Sequence, residues 1–288
     1  MTYRLSSVPG SLAFGEWGDP GAPAVLAVHG ITANHLAWAA VARALPEFHV
    51  IAPDLRGRGG SRGLGGPYGM EAHAADLAAL LDHVGVATAA VVGHSMGAFA
   101  ALVFGLRHPG RTAATVLVDG GLPLVLPPGL TVNDTLGPAA QRLTMEFADR
   151  EAYRQLWKGH PALAGAWNGD IEAYVDYDLV GEPPRLHSSA SYESMALDSA
   201  DLFGTDAIEA ALSALPAGTP LLTAPRGLLD ADPLYSAEEL AAWRARLPGL
   251  AVSEVPDANH YTIVMGGHGA AAVAAAVKTA VTTGRAGS

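Results

Sequence analysis

Short apolar runs alternate along this chain with longer stretches whose apolar positions recur at helical spacing. Residues 24–29 (AVLAVH) form an unbroken apolar run closed by Gly30, which predicts a buried strand. Residues 38–45 then carry apolar positions at helical spacing and stop at Pro46. A second run at 50–54 (VIAPD) leads into the loop LRGRGGSRGLGGP, and a helix over 70–84 follows with Leu77, Leu80, Leu81 and Val84 on one face. The run at 89–93 passes through His94 and Ser95 into a helix over 96–108, which Pro109 ends, and residues 115–119 (TVLVD) close the series. Strands alternating with helices in this way predict an α/β architecture, a mostly parallel, doubly wound sheet with helices on both faces.

The rhythm lapses over residues 122–215, which read as helix and loop, and resumes with a strand at 220–224, a helix at 237–246, a strand at 251–255 and an apolar C-terminal helix. One sheet interrupted by an insert accounts for this: a core of residues 1–121 and 216–288, with a mainly helical cap over 122–215. There is no internal repeat and no linker that would divide the chain into independent domains.

Two segments fit Gly-x-Ser-x-Gly: GGSRG at 59–63 and GHSMG at 93–97. With 34 glycines in 288 residues the pattern alone means little. Ser61 lies in a Gly/Arg-rich stretch, expected to be mobile or tightly turned, with no strand directly before it and no helix directly after it. Ser95 follows a buried strand without a gap and opens a helix, the geometry that lifts a nucleophilic hydroxyl to the carboxyl end of a sheet. The free N–H groups of the helix start point at any oxyanion formed there. Ser95 is the expected nucleophile.

A serine hydroxyl needs a base, and the base needs an orienting acid. His260, in the loop VPDANHYTIV after the last strand, is the best placed of the eleven histidines. His29, His49 and His94 read as packing or rim residues. His35 reads as either pocket rim or exposed, and His73, His83 and His108 as exposed on helices. The acid is expected after the strand that precedes the base, where Asp230 is favoured. Asp232, before Pro233, and Asp119, at the end of residues 115–119, are the alternatives.

No metal or organic cofactor is implied, because neither His-Glu-x-x-His nor Gly-x-Gly-x-x-Gly after a strand occurs. The net charge of −11 argues against nucleic acid or an anionic membrane as a partner and leaves a small-molecule substrate; it says nothing about oligomeric state. There is no cysteine, which excludes disulfides and a thiol nucleophile. Residues 270–281 are too short to span a bilayer, and MTYRLSSVPG lacks the look of a secretory signal. A cytoplasmic protein is the expectation.

With the elbow, the HG turn and the late histidine in place, the chain resembles the α/β-hydrolase superfamily over residues 10–120 and 216–285. VHGITANHLAW is similar to the family's oxyanion loop, PDLRGRGGS to its Gly-rich loop, and GHSMGA to its elbow. The resemblance implies that Ser95, His260 and Asp230 hydrolyse carboxylic esters, lactones included, through an acyl-enzyme. The Ile31 and Met96 amides would hold the oxyanion. On the same scaffold the alternatives are a C–C bond hydrolase, a thioesterase, a cofactor-free perhydrolase or a non-catalytic ligand-binding protein. Epoxide hydrolases and dehalogenases of this fold carry an aspartate where this chain has Ser95. The aromatic and apolar residues of the insert suggest a pocket for a small to medium apolar acyl group. Its candidate walls are His94, Met145, Phe147, Trp157, Trp167 and Tyr174.

Overall fold

Successive side chains of a strand face opposite sides of the sheet, so a strand buried on both faces must be apolar throughout. In the computed structural model, which describes residues 2–7, 10–125, 129 and 137–286, the apolar runs divide in this way. In β3 (Ala24–Val28), Val25 and Ala27 join one core cluster while Leu26 and Val28 join the other. The same division holds in β4 (His49–Pro53), β5 (Ala89–His94) and β6 (Thr112–Val118). With β1 (Tyr3–Ser7), β2 (Ala13–Trp17), β9 (Pro220–Thr223) and β10 (Ala251–Glu254) they form an eight-stranded sheet ordered β1-β2-β4-β3-β5-β6-β9-β10. The pairs β1·β2 and β2·β4 are antiparallel and the remaining pairs parallel. A separate small ladder joins β7 (Leu179–Val180) to β8 (His187–Ser188).

Helices cover both faces. On one side α1 (Ala39–Ala44) packs with the C-terminal α11 (Gly267–Ala286) and the short α10 (Thr262–Met265). On the other lie α2 (Met70–His83), α3 (Met96–Arg107), α8 (Asp206–Ser213) and α9 (Ala237–Arg246). Between β6 and α8 the chain builds the cap from α4 (Gly137–Leu143), α5 (Arg150–Lys158), α6 (Gly169–Asp178) and α7 (Tyr192–Ser199). Cap helices α5, α6 and α7 start on Asp149, Asn168 and Ser191, whose side chains accept from amides of the first turn. The cap aromatics Tyr153, Trp157 and Tyr174 belong to the same buried cluster as α1 and α11, so the cap is welded to the core on that side.

Strands β1 and β2 were not expected from the hydrophobic pattern. β1 is an exposed edge strand and carries little apolar signal of its own. Ser61 lies in a tight helical turn, the second of the two alternatives expected of its stretch; it is buried, and its hydroxyl accepts from the Ala13 amide at 2.8 Å. Among the described residues no helix is long and apolar enough to cross a membrane.

Candidate active site

Ser95 sits between β5 and α3 with φ 55° and ψ −124°, a backbone state that costs non-glycine residues on the order of 1–3 kcal/mol and persists only where the surroundings enforce it. Enforcement comes from three glycines. A Cβ at Gly93 would lie 2.1 Å from the Gly97 carbonyl oxygen, one at Gly97 would lie 2.1 Å from that of Val28, and one at Gly120 would lie 2.3 Å from that of Ser95. The Ser95 amide donates to Val118 of β6 at 3.0 Å, which ties the turn to the neighbouring strand. The side chain is thereby presented at the carboxyl end of the sheet, as its sequence position predicted.

His260 leads from β10 towards α10 and is buried. Its Nδ1 lies 2.7 Å from Oδ2 of Asp119, which leaves Nε2 as the nitrogen available to the cavity it lines with Ser95. Asp119 is fully buried at φ 43°, and its Oδ1 accepts from the Ala224 amide at 3.1 Å. The acid partner is therefore Asp119, not Asp230 or Asp232. Asp230 instead pairs with Arg226 at 2.9 Å and accepts from Asn259 at 2.8 Å. Asp232 is exposed. The physical reason lies in the contacts: the Ala224 amide at the end of β9 holds Asp119 against His260, whereas Asp230 is taken up by Arg226 and Asn259. The signal was present as Asp119-Gly120-Gly121, where Gly120 lets the chain run tightly against Ser95. No hydrogen bond joins Ser95 to His260 among the described residues; such contacts are often long before substrate binds.

Two further histidines brace the site. His94 donates from Nε2 to the His260 carbonyl at 2.8 Å, and burial, then the neighbouring His260, pushes its pKa well below the usual value. His29 contacts the Gly30 carbonyl through Nδ1 at 2.7 Å and accepts the Leu55 amide on Nε2 at 3.0 Å. Burial lowers it to about 4, against the pull of Asp54. Both are neutral at pH 7, and each donates its single N–H to a loop carbonyl.

Ile31 and Met96 line the cavity, and neither backbone amide donates to a partner among the described residues. The Ile31 loop is held from behind. Arg58, wholly buried, donates from Nε to the Ile31 carbonyl at 2.8 Å and pairs with Asp198 of α7 at 2.6 Å, while His73 approaches the same carboxylate at 3.1 Å. His35 contacts Asp54 at 2.9 Å, and Tyr177 of the cap donates to Asp54 at 2.6 Å. Burial pushes the Asp54 pKa up, but His35 and Tyr177 reverse this and hold it below its ordinary value. Contrary to expectation, His35 and His73 are thus both fully buried.

The cavity in front of Ser95 measures about 460 Å³, within the usual range for small-molecule sites. His94, Met145, Trp157 and Tyr174 line it as expected. Trp167 does not: it lies under the Lys158 ammonium, 5.4 Å from the ring centroid. Phe147 is buried against Tyr153 and also stays out of the cavity. Sequence reasoning missed Arg142, His160 and Tyr261, which line it together with Leu228 and Leu229. Tertiary folding brings these together from separate segments, and no local spacing marks them.

Comparison with known proteins agrees with this fold. The chain is 42% identical over 204 residues to Epoxide hydrolase A of Mycobacterium tuberculosis, covering 68% of this chain and 59% of that protein. It is 36% identical over 144 residues to Lipase LipV of the same organism, covering 46% and 55%. The chain thus spans a little over half the length of these curated relatives. Among solved structures, E-2-(acetamidomethylene)succinate hydrolase superposes with a TM-score of 0.79 at 22% identity, covering 98% of this chain and 100% of the other. A family profile for the alpha/beta hydrolase fold matches residues 23–266, and the chain belongs to that family.

Proposed function

We propose that the protein is a serine hydrolase of carboxylic esters. The observation that carries this reading is the bond to buried Asp119 from Nδ1 of His260, which lines one cavity with Ser95, Ile31 and Met96, the last two with amides that have no partner among the described residues. In that arrangement His260 Nε2 takes the Ser95 proton as Oγ attacks the ester carbonyl. Asp119 fixes the imidazole tautomer and stabilises the imidazolium. The carbonyl oxygen, now an oxyanion, is held by the Ile31 and Met96 amides, each such donor contributing ~3–4 kcal/mol to the lowering of the barrier. Collapse expels the alcohol, which takes its proton from His260 and leaves Ser95 acylated. A water then gives its proton to His260, attacks the acyl carbon, and releases the acid and free Ser95.

The similarity to an epoxide hydrolase does not carry that reaction across. Opening an epoxide with Ser95 Oγ would leave an ether that water cannot cleave, whereas a carboxylate nucleophile leaves a hydrolysable ester.

The test is turnover of p-nitrophenyl esters from acetate to long-chain acyl, alongside Ser95→Ala and labelling by a fluorophosphonate. Turnover and labelling that both vanish in the variant support the reading, and the chain-length optimum sizes the cavity. Near-normal rates in Ser95→Ala would remove Ser95 from the mechanism. Saturable ligand binding with neither turnover nor labelling would make the protein a binding module.

A further inference from the structure

Among the described residues that line the Ser95 cavity, Arg142 is the only one of the Asp, Glu, Lys and Arg classes, in a chain whose net charge is −11. The remaining walls are mainly apolar, so this one cation is not a consequence of a generally charged surface. It lies on α4 and is 7% exposed.

Its bonding is lopsided. Nη1 donates to Tyr153 Oη at 2.7 Å, Asp178 Oδ2 at 2.8 Å and Ser188 Oγ at 2.9 Å, with the Trp157 ring 4.9 Å from the guanidinium carbon. Nη2 reaches only the Thr32 carbonyl, at 3.4 Å, and Nε has no hydrogen bond among the described residues. A guanidinium used purely as a strut would present its fork to the carboxylate, since bidentate pairing gives the stronger contact. Arg56 does so with Asp76, placing Nε and Nη2 each 2.7 Å from a carboxylate oxygen. Arg142 gives Asp178 a single nitrogen.

Asp178 meanwhile has donors besides Arg142: the Tyr153 hydroxyl, Ser188 Oγ at 2.8 Å, Ser189 Oγ at 2.7 Å and the Ser189 amide at 3.2 Å. These donors fix the carboxylate, and with it the Nη1 end of the guanidinium, while the Nε and Nη2 edge is left with a single long contact. Burial, then the Arg142 charge, lowers the His160 pKa, so the imidazole beside it is neutral at pH 7 and does not compete for an anion. Thr32 follows Ile31 directly, which sets the under-bonded edge of Arg142 beside the oxyanion loop.

We propose that Arg142 anchors an anion subsite in this cavity, and that the substrate is an ester bearing a second, ionised carboxylate on an otherwise apolar frame. This rests on the reading of Ser95 as the nucleophile. The scissile carbonyl would occupy the Ile31 and Met96 amides while the distal carboxylate meets Arg142, so that the same acid lacking its charge binds less well.

The test compares mono-(4-nitrophenyl) glutarate with its neutral methyl ester, and uses glutarate as a probe of binding. In the wild type kcat/KM is expected to be at least tenfold higher for the anionic ester, and glutarate inhibits competitively. Arg142→Gln should collapse that ratio, chiefly through KM, and weaken glutarate at least tenfold; Arg142→Lys should keep part of both. Met145→Glu, which sets a carboxylate on the same cavity wall, should also weaken glutarate and covers the case in which Arg142→Gln does not fold. Equal or faster hydrolysis of the neutral ester by the wild type, with no glutarate inhibition, overturns the subsite and leaves the hydrolase reading standing. If neither ester turns over and the fluorophosphonate leaves Ser95 unlabelled, the hydrolase reading fails instead. Calorimetry then decides the subsite: glutarate binding that Met145→Glu weakens supports it, and no binding overturns it.

Discussion

At the residue scale the site turns on which aspartate His260 meets. Asp119→Asn keeps the shape but lets the amide donate to Nδ1, which favours the wrong imidazole tautomer. A loss of about 10⁴ in kcat is expected by analogy with serine proteases. Asp230→Asn should cost less than tenfold, because Asp230 acts at one remove: it bonds Asn259, whose Oδ1 in turn accepts the Tyr261 and Thr262 amides beside His260. Steady-state kinetics on the two variants decides the matter, and the reverse ranking would return the acid to the turn after β9. Ser95 and His260 were legible because their signals are local, a strand–turn–helix junction and a late loop histidine. Asp119 was not, because what selects it is a contact with His260 across 141 residues, and spacing along the chain does not record such a contact.

At the scale of elements, the β5–α3 turn has no room for change. Gly97→Ala would drive a methyl to 2.1 Å from the Val28 carbonyl oxygen, and Gly93→Ala would do the same at the Gly97 carbonyl oxygen. Backbone cannot yield as a side chain can, so both variants are expected to give little or no folded protein. Gly63→Ala, with nothing within 4 Å and no positive φ, should match the wild type in yield and melting temperature. Normal melting of Gly97→Ala would show that the elbow relaxes more easily than its packing implies. The central strands and their helices were legible since each carries a long apolar run or a helical stripe. The two N-terminal strands were not, because β1 is mostly exposed and β2 is defined by its partners. The cap was readable as helical, but its seam with the core was hidden. Part of that seam is polar, in contacts such as Arg58 to Asp198 and Tyr177 to Asp54, and such pairs leave no periodic trace.

For the whole molecule, these buried titratable groups couple folding to pH. An unfolded histidine takes up its proton near pH 6.5, whereas folded His29 resists to about 4. Between those values the unfolded state binds the extra proton, so stability falls as the pH is lowered, by on the order of 3 kcal/mol for this one group. His94, also held well below its usual value, adds a loss of the same sign. Asp54 and Asp198 act lower on the scale. Burial alone would raise both, but their partners, His35 and Tyr177 for the first and His73 and Arg58 for the second, hold them below their ordinary values. The stability they contribute is intact above the unfolded carboxylate value and is lost as the pH falls through the folded one. Net charge works in the opposite sense, since acidification relieves the repulsion within a chain of charge −11. The wild-type curve sums these effects, so the comparison with His29→Gln isolates the histidine. That variant keeps a donor for Gly30 and an acceptor for Leu55 but cannot titrate. It should be somewhat less stable at pH 7.5 yet lose less stability between pH 6.5 and 4.5, as read from denaturant midpoints. Parallel curves for the two proteins would mean that His29 does not carry the acid sensitivity.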